Sequence, residues 1–379
     1  MKKFMLNYGE LWLKSDPVKS RFTRRLKNNI KYMLKTQGVT HKIQRERDKM
    51  FLWTNSPKKV SEILSRTFGL HSFTVVEEVK TDYKAIEKKA LELAKTIEPD
   101  ETFAISCHRT YKAFPFTSMQ VESKIGAKVR RKCNLTKPDR TIYIVIRREK
   151  SYVYSESFRA AGGLPVGVSG KVFCLMSGGI DSPVAAWLMM KRGCWVEFVY
   201  FDSQPFTDKK DKQRVIEIVK KIRQYYPRKT RLHIVPFAKI QEAVIDSCNL
   251  KFGCVLGRKI MFRISEQIAK EINAQALVTG DNLAQVASQT LPNLCSEQAG
   301  LKTPVLMPLI GMDKIDIIGI GKKIGTYETS IQIKSSCPLT PKSPATKSDA
   351  SLIRKEERSV KKLKNLLEKT IKKTEVMEI

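Results

Sequence analysis

Leu175-Met176-Ser177-Gly178-Gly179-Ile180-Asp181-Ser182-Pro183 is a loop of small residues between an apolar run, residues 172–176, and a helical pattern, residues 184–191. The apolar run predicts a buried strand, so the whole stretch indicates a strand, a tight turn and a helix start. Glycines and serines in such a turn let backbone N–H groups approach an anion, and the positive end of the helix adds to the attraction. The stretch therefore predicts a phosphate-binding turn.

Asp181 places a carboxylate inside this predicted phosphate site. A carboxylate repels phosphate unless a cation lies between them, so we expect Mg²⁺ to bridge Asp181 and a polyphosphate. The loop lacks the lysine of Gly-x-x-x-x-Gly-Lys-Ser/Thr, and Gly-x-Gly-x-x-Gly is absent. It resembles the Ser-Gly-Gly-x-Asp-Ser loop of the ATP pyrophosphatases. That resemblance implies that ATP is split between its α and β phosphates and that AMP is left on an oxygen of the substrate.

Composition points to a polyanionic partner. The 379 residues suit two or three domains, and 70 Lys and Arg against 38 Asp and Glu give a net charge of +32.

The eight cysteines never form Cys-x-x-Cys. With no signal peptide and no apolar run near 18 residues, we expect a reduced cytoplasmic protein without a membrane span.

The C-terminal part alternates apolar strands with amphipathic helices, which is typical of a doubly wound parallel sheet that binds ligands at the carboxyl ends of its strands. The predicted strands are residues 171–176, 195–201, 232–235 and 276–279. The predicted helices are residues 183–192, 209–225, 239–247, 258–271 and 282–289. Upstream, strands and helices also alternate, which indicates α+β layers. A helix from Asp16-Pro17 onward is predicted to bury Phe22, Leu26, Ile30, Met33 and Leu34.

Three upstream stretches narrow the resemblance: residues 109–118, the Ile125-Gly126-Ala127 helix and Gly162-Gly163-Leu164-Pro165-Val166-Gly167. They look like the THUMP domain and linker of the tRNA 4-thiouridine synthetases. The resemblance implies an N-terminal ferredoxin-like domain (residues 1–60) and a THUMP RNA-binding domain (61–165). It further implies a Rossmann-like ATP-pyrophosphatase catalytic domain (171–340) and a basic tail (341–379).

The residues that are expected to contact RNA are basic and cluster in the second of these domains. A helix is predicted over residues 121–132, ending in a basic cluster, and Phe114 and Phe116 are candidates for stacking on bases. The candidates for phosphate contact are Arg109, Lys112, Lys124, Lys128, Arg130, Arg131 and Lys132.

The predicted nucleotide site gathers residues at several strand ends. Tyr200 and Phe201 end one strand, where they could flank an adenine ring, although core packing explains Phe201 equally well. Arg258 is predicted to begin a helix. A positive charge at the N-terminus of a helix is repelled by the helix dipole, so its placement there indicates a nearby phosphate. Carried over from the family position by position, the nucleotide contacts are Leu175, Met176, Tyr200, Phe201, Arg258, Gly280 and Gln289. The phosphate-binding turn adds Ser177, Gly178, Gly179 and Ser182 as candidates.

Lys314 closes Met307-Pro308-Leu309-Ile310-Gly311-Met312-Asp313-Lys314, a block that matches one in which the family requires the lysine for adenylation. A cation there would stabilise the negative charge that accumulates on the phosphates. From the sequence without the resemblance, Lys314 would be an ordinary solvated side chain.

Sulfur chemistry needs a thiolate or persulfide, which is a far better nucleophile than water at neutral pH. Cys337 matches the sulfur-handling cysteine of the family, and the chain ends too early for the rhodanese domain of many bacterial members. Some archaeal members have Cys-x-x-Cys where this chain has Cys254-Val255-Leu256-Gly257. Cys254 and Cys337 supply fewer ligands than an iron–sulfur cluster needs, which disfavours a cluster, although Cys248 leaves that alternative open. The pair could instead act as persulfide carrier and resolving thiol.

The tail is predicted as coil over residues 341–350, followed by an amphipathic helix marked by Ile353, Val360, Leu363, Leu367 and Ile371. Three alternatives stay open for it: docking on its own domain, supporting a homodimer, or fraying.

The resemblance implies an ATP- and Mg²⁺-dependent transferase that adenylates the uridine at position 8 of tRNA and replaces its O4 with sulfur. Its partners would be tRNA and a sulfur donor, either the persulfide of a cysteine desulfurase or sulfide. A role in thiamine thiazole synthesis also stays open. The alternatives are another ATP-pyrophosphatase tRNA thiolase and a non-catalytic tRNA-binding protein. The intact loop and Lys314 argue against the latter.

Overall fold

The structure is a computed structural model that describes residues 1–46, 49–332 and 344–379. The chain divides into two compact units, Met1–Gly163 and Leu164–Ile379. In the described residues, no helix is both long enough and apolar enough to cross a membrane.

The first unit consists of one mixed sheet with helices. Its strands are β1 Lys2–Tyr8, β2 His41–Arg45, β3 Lys49–Thr54, β4 Leu70–Lys80, β5 Phe103–Arg109, β6 Arg140–Ile146, β7 Lys150–Tyr154 and β8 Phe158–Arg159. Its helices are α1 Asp16–Thr36, α2 Pro57–Ser65, α3 Tyr83–Ala94 and α4 Ser118–Gly126.

The long strand β4 joins the two halves of this sheet, whose order is β2-β3-β1-β4-β7-β6-β5 with β8 also on β4. Residues 70–76 of β4 pair with β1, and residues 77–80 pair with β7, both antiparallel. On α1 the five predicted apolar positions are all buried, which confirms the amphipathic prediction for that helix.

The second unit is a mostly parallel α/β layer structure. Its strands are β9 Lys171–Met176, β10 Trp195–Asp202, β11 Arg231–Pro236, β12 Ala276–Val278, β13 Val305–Leu306 and β14 Glu375–Glu378. Its helices are α5 Asp181–Lys191, α6 Lys209–Arg223, α7 Ala238–Ser247, α8 Gly253–Glu271, α9 Leu291–Gln298, α10 Lys314–Lys323, α11 Tyr327–Ser330, α12 Ala350–Ser359 and α13 Leu363–Lys372.

The strand order β13-β12-β9-β10-β11-β14 places β9 at a topological switch point. After β9 the chain builds β10 and β11 on one side and later β12 and β13 on the other, all parallel. Helices that leave neighbouring strands in opposite directions open a crevice at the carboxyl ends, which is where such sheets bind ligands. The predicted doubly wound parallel sheet is confirmed.

The C-terminal tail is part of this unit. Ile353, Val360, Leu363 and Leu367 are buried in the same apolar cluster as α7 and α8. Beyond them β14, which no pattern predicted, pairs antiparallel with β11. Of the three alternatives for the tail, the described residues therefore show docking on its own domain.

Two predicted helices are replaced by other structure over all or half of their length. Two others differ in their bounds: the helix predicted from Arg258 begins at Gly253, and the single helix predicted for the tail is two helices, α12 and α13. The helix predicted over residues 282–289 is replaced by turns and a short 3-10 helix, Ala287–Gln289, because Ala284 adopts a left-handed φ of 62°. The helix predicted over 121–132 ends at Gly126. Backbone hydrogen bonds of Phe103 with Lys132 and Asn134 draw the basic segment out to the edge of β5 instead.

Candidate nucleotide site at the switch point

The loop between β9 and α5 forms the predicted tight turn. Gly178 has a φ of 72°, a conformation that only glycine adopts without strain. The Ser177 N–H donates to Ser182 Oγ at 3.1 Å, and the Gly179 N–H donates to Ser177 Oγ at 3.4 Å. These bonds hold the turn at the positive end of α5, so strand, turn and helix start are where the sequence predicts them.

Gly280, at the carboxyl end of β12, lies against the start of α5. A Cβ on this residue would lie 2.6 Å from the Ser182 nitrogen and 2.8 Å from the Asp181 carbonyl carbon. A side chain cannot fit there because both neighbours are backbone atoms. The glycine therefore lets β12 close one side of the loop.

Asp181 is bound by two side chains that are far from it in sequence. Lys314 Nζ, from the first residue of α10, lies 2.5 Å from Asp181 Oδ1, and Gln285 Nε2 donates to Oδ2 at 3.2 Å. The structure thus joins two predicted catalytic residues in one ion pair. Sequence reasoning misses Gln285 because the pattern of its segment predicts a helix.

A cavity of about 330 Å³ opens beside the loop, a volume within the range of small-ligand sites. Of the predicted residues, Leu175, Met176, Ser177, Asp181, Ser182, Tyr200, Phe201, Arg258, Gly280 and Gln289 line it. Gly178 and Gly179 belong to the adjoining turn. The lining residues that sequence reasoning misses are Thr207, Asp211, Arg214 and Met261. Thr279 and Asp281 also line the cavity, and they belong to the strand end Thr279-Gly280-Asp281-Asn282, which the sequence makes a candidate for nucleotide contact.

The aromatic pair at the end of β10 is largely buried. Tyr200 is 7% exposed and Phe201 is 9% exposed, yet both reach the cavity wall. Phe201 also packs edge-on against Phe237 at 5.2 Å, so it serves the core and the cavity together. Burial raises the pKa of Tyr200 further above its ordinary value of 10, so its hydroxyl is protonated at neutral pH.

Arg258 is held by two buried carboxylates. The prediction that it begins a helix is wrong, because α8 begins at Gly253 and Arg258 lies in its second turn. The dipole argument for a phosphate partner therefore fails. Instead, Arg258 Nε donates to Glu297 Oε2 at 2.8 Å, and Nη2 lies 2.8 Å and 2.9 Å from the two oxygens of Asp281. Burial opposes the charge on Arg258, but the two carboxylates outweigh it and raise the pKa of the guanidinium.

Of the two cysteines that are predicted to handle sulfur, the structure describes one. Cys254 is half-buried in the first turn of α8, whereas Cys337 lies outside the described residues. Burial raises the pKa of Cys107 and of Cys248 to about 11 and that of Cys174 still further, so these three thiols stay protonated at neutral pH. They are poor candidates for nucleophiles.

The basic candidates in the first unit fall into two groups. Arg109 donates to the carbonyls of Lys112 and Phe114, and Arg131 donates to those of Ile97 and Glu98, so both arginines stabilise local folds. The exposed members are Lys112, Lys124, Lys128, Arg130 and Lys132. Of these, Lys128 pairs with Glu87 at 2.7 Å.

The two stacking candidates also differ. Phe114 is 5% exposed within the core, so the prediction that it stacks on bases is wrong. Phe116 is half-buried against Tyr83, with Lys124 Nζ 5.0 Å from its ring centroid.

A parallel α/β sheet with a Ser-Gly-Gly-x-Asp-Ser turn and a cavity at its switch point defines a nucleotide-binding domain of the ATP-pyrophosphatase class. Sequence profiles agree with this class over three ranges. Residues 167–362 match the family described as thiamine biosynthesis protein (ThiI), residues 3–74 match the ThiI ferredoxin-like domain, and residues 80–156 match the THUMP domain. The chain belongs to the ThiI family.

Individual relatives cover nearly the whole chain. A probable tRNA sulfurtransferase from Brevibacillus brevis is 37% identical over 99% of this chain and 96% of its own length. A crystal structure of a 4-thiouridine synthetase–RNA complex with bound ATP superposes with a TM-score of 0.89, at 33% identity and full coverage of both chains. PH1313 from Pyrococcus horikoshii superposes with a TM-score of 0.67, at 25% identity, over 86% of this chain and all of its own.

Proposed function

We propose that the protein is an ATP-dependent tRNA sulfurtransferase that converts the uridine at position 8 of tRNA to 4-thiouridine. The observation that carries the proposal is the Asp181–Lys314 ion pair at the end of the Ser-Gly-Gly-x-Asp-Ser turn, beside a cavity of nucleotide size. The similar 4-thiouridine synthetase was crystallised with RNA and ATP, which supports both substrates.

In the first step the uridine O4 attacks the α phosphorus of ATP, the bond to the β phosphate breaks, and pyrophosphate and the N3 proton leave. Negative charge grows on the phosphate oxygens during this step. The N–H groups of the turn and the ammonium of Lys314, which lies beside Asp181, would stabilise that charge. The cavity residues, with Tyr200 and Phe201 along one wall, would hold the nucleoside.

Asp181 fits the chemistry of a magnesium ligand. Mg²⁺ in nucleotide sites is commonly held by one or two carboxylates together with substrate phosphates, and Asp181 is a partly exposed carboxylate at the phosphate turn. The ion would supply charge neutralisation between Asp181 and the polyphosphate. Lys314 and Gln285, its present partners, orient the carboxylate for that role.

For the second step we propose that Cys337 carries the sulfur as a persulfide. Its terminal sulfur attacks C4 of the adenylated uridine, the C4–O bond breaks and AMP leaves. Cys254 then attacks the Cys337 sulfur, which releases 4-thiouridine and leaves a disulfide for a cellular dithiol to reduce. The persulfide sulfur would be transferred from the persulfide of a cysteine desulfurase. Sulfide, the alternative donor, would instead attack C4 directly and displace AMP, with no persulfide on Cys337.

The first unit is proposed to hold the tRNA, with residues 1–60 and 61–165 as its ferredoxin-like and THUMP domains. The exposed candidates in its THUMP domain would contact phosphates, namely Lys112, Lys124, Lys128, Arg130 and Lys132. Residues 171–340 are proposed as the catalytic domain, with residues 341–379 as a tail that completes it.

The test is ATP–pyrophosphate exchange by the purified protein with and without tRNA, together with mass spectrometry of the tRNA. We expect the wild type to show tRNA-dependent exchange. Asp181→Ala should abolish this exchange, whereas Cys337→Ala should retain it but form no 4-thiouridine. Cys254→Ala should also lose 4-thiouridine. Exchange without tRNA would favour a small-molecule synthetase. No exchange at all, by a folded protein that binds tRNA, would refute the enzymatic proposal.

A further inference from the structure

Asp281 and Glu297, here called the carboxylate pair, surround Arg258 on the side away from solvent. Glu297 is fully buried and Asp281 is 2% exposed, whereas the Arg258 side chain is 28% exposed and lines the cavity. We propose that the carboxylate pair positions Arg258 so that its free Nη1 group donates to the nucleotide, which makes Glu297 a positioning residue for ATP binding. This inference rests on the proposed function.

The hydrogen bonds of Arg258 leave one side of the guanidinium available. Nε is used by Glu297, and Nη2 by Asp281. Within residues 1–46, 49–332 and 344–379, Nη1 has no hydrogen-bond acceptor. Because the guanidinium is a planar fork, fixing Nε and Nη2 also fixes the direction of Nη1.

The carboxylate pair is itself anchored to the predicted nucleotide site. Thr279 Oγ1 donates to Asp281 at 2.6 Å, and Gln289 Nε2 donates to it at 3.2 Å. Asp281 directly follows Gly280, whose backbone lies against the start of α5. The orientation of Arg258 is thereby tied to the position of the phosphate turn.

The buried position of the Glu297 carboxylate is unfavourable for the stability of the folded protein. One arginine faces two carboxylates, and Glu297 Oε1 is buried with no hydrogen-bond partner among the described residues. Burial raises the pKa of Glu297 to about 7, against the opposing attraction of Arg258. A buried carboxylate oxygen without a hydrogen-bond donor costs stability, which points to a functional reason for the presence of Glu297.

The sign of the pH effect follows from this raised pKa. Between its ordinary value of 4.5 and about 7, Glu297 binds more protons in the folded protein than in the unfolded chain. Its contribution to the free energy of unfolding therefore falls as the pH rises through that window. Glu297→Gln removes the penalty, so at pH 8 the variant should melt at the same temperature as the wild type or higher.

The experiment compares Glu297→Gln with the wild-type full-length protein in tRNA-dependent exchange and in calorimetric titration with Mg–ATP at pH 8. We expect the KM and Kd for ATP to rise about tenfold, because a neutral hydrogen bond replaces a charge-assisted one. The kcat should change by less than about twofold. Glu266→Gln is the matched control, since Glu266 is a partly buried carboxylate on α8 that binds the backbone of Lys302 and Thr303.

A double-mutant cycle separates positioning from folding. Arg258→Lys should weaken ATP binding, and adding Glu297→Gln to it should cost nothing further, because the fork to be oriented is already gone. An unchanged KM in Glu297→Gln, or a KM that rises only together with a lower melting temperature, would overturn the inference. If the wild type itself binds no ATP, the proposed function fails first and the inference fails with it.

Discussion

At the scale of single residues, the geometry of the proposed phosphate site depends more on close approach of backbone segments than on charged side chains. Gly280 carries no functional group, but it lets β12 reach the turn that ends at Asp181. Ser177 and Ser182 then use their hydroxyls to shape the turn. The proposed phosphate site thus depends on a residue that the sequence marks only by its place at a strand end and by the family resemblance.

Gly280→Ala tests this dependence. The added Cβ would lie 2.6 Å from the Ser182 nitrogen, so the start of α5 must shift. Misplacing reacting groups by about 1 Å costs on the order of 100-fold in rate, and we expect a loss of that size in tRNA-dependent exchange.

The matched control is Gly319→Ala. Gly319 lies on α10, and the position that an added Cβ would occupy has open space within 4 Å. Gly319→Ala should leave the rate of tRNA-dependent ATP–pyrophosphate exchange unchanged and raise helix stability slightly. A wild-type rate of ATP–pyrophosphate exchange in Gly280→Ala would contradict the structural argument.

At the scale of elements, the tail completes the second unit rather than extending from it. Helices α12 and α13 contribute buried side chains to the cluster around α8, and β14 covers the edge of β11. β14 thereby becomes the edge strand on this side, and it is short and carries Glu375 and Glu378, which are features that disfavour intermolecular strand pairing.

Leu367→Ala measures how much the tail stabilises the unit. Leu367 is 4% exposed, and Leu-to-Ala changes in cores cost about 2–5 kcal/mol, so we expect about 3 kcal/mol less free energy of unfolding for the second unit. Urea denaturation followed by tryptophan fluorescence is a suitable measurement. Lys369→Ala, an exposed change on the same helix, is the control. Equal stabilities of the two variants would mean that the tail does not hold the core.

The two predicted helices that failed show where local patterns reach their limit. Residues 282–289 have a helical pattern of apolar residues, but Ala284 is left-handed and Gln285 turns to Asp181. Residues 127–132 leave the helix for the edge of β5. In both cases a contact distant in sequence outweighs the helical propensity of a short segment.

At the scale of the whole molecule, the net charge of +32 predicts salt-dependent binding of tRNA. The logarithm of the association constant should fall linearly with the logarithm of salt concentration. Removing one true phosphate contact should reduce that slope by about 0.7–0.9.

Lys132→Ala is the variant that we would measure by filter binding over a range of KCl concentrations, with exposed Lys58→Ala as the control. We expect a shallower slope for the first and the wild-type slope for the second. Identical slopes for both would remove Lys132 from the proposed RNA surface.

The sequence by itself determined the class of fold, the phosphate turn, the amphipathic α1 and most strand positions in the second unit. These features are local, because the periodicity of apolar residues and the turn chemistry of glycine and serine act within a few residues. Only the tertiary structure brought Lys314 to Asp181, surrounded Arg258 with Asp281 and Glu297, and added β14 to the sheet. Those partners are separated along the chain by 23 to more than 140 residues, so their meeting depends on how the whole sheet closes.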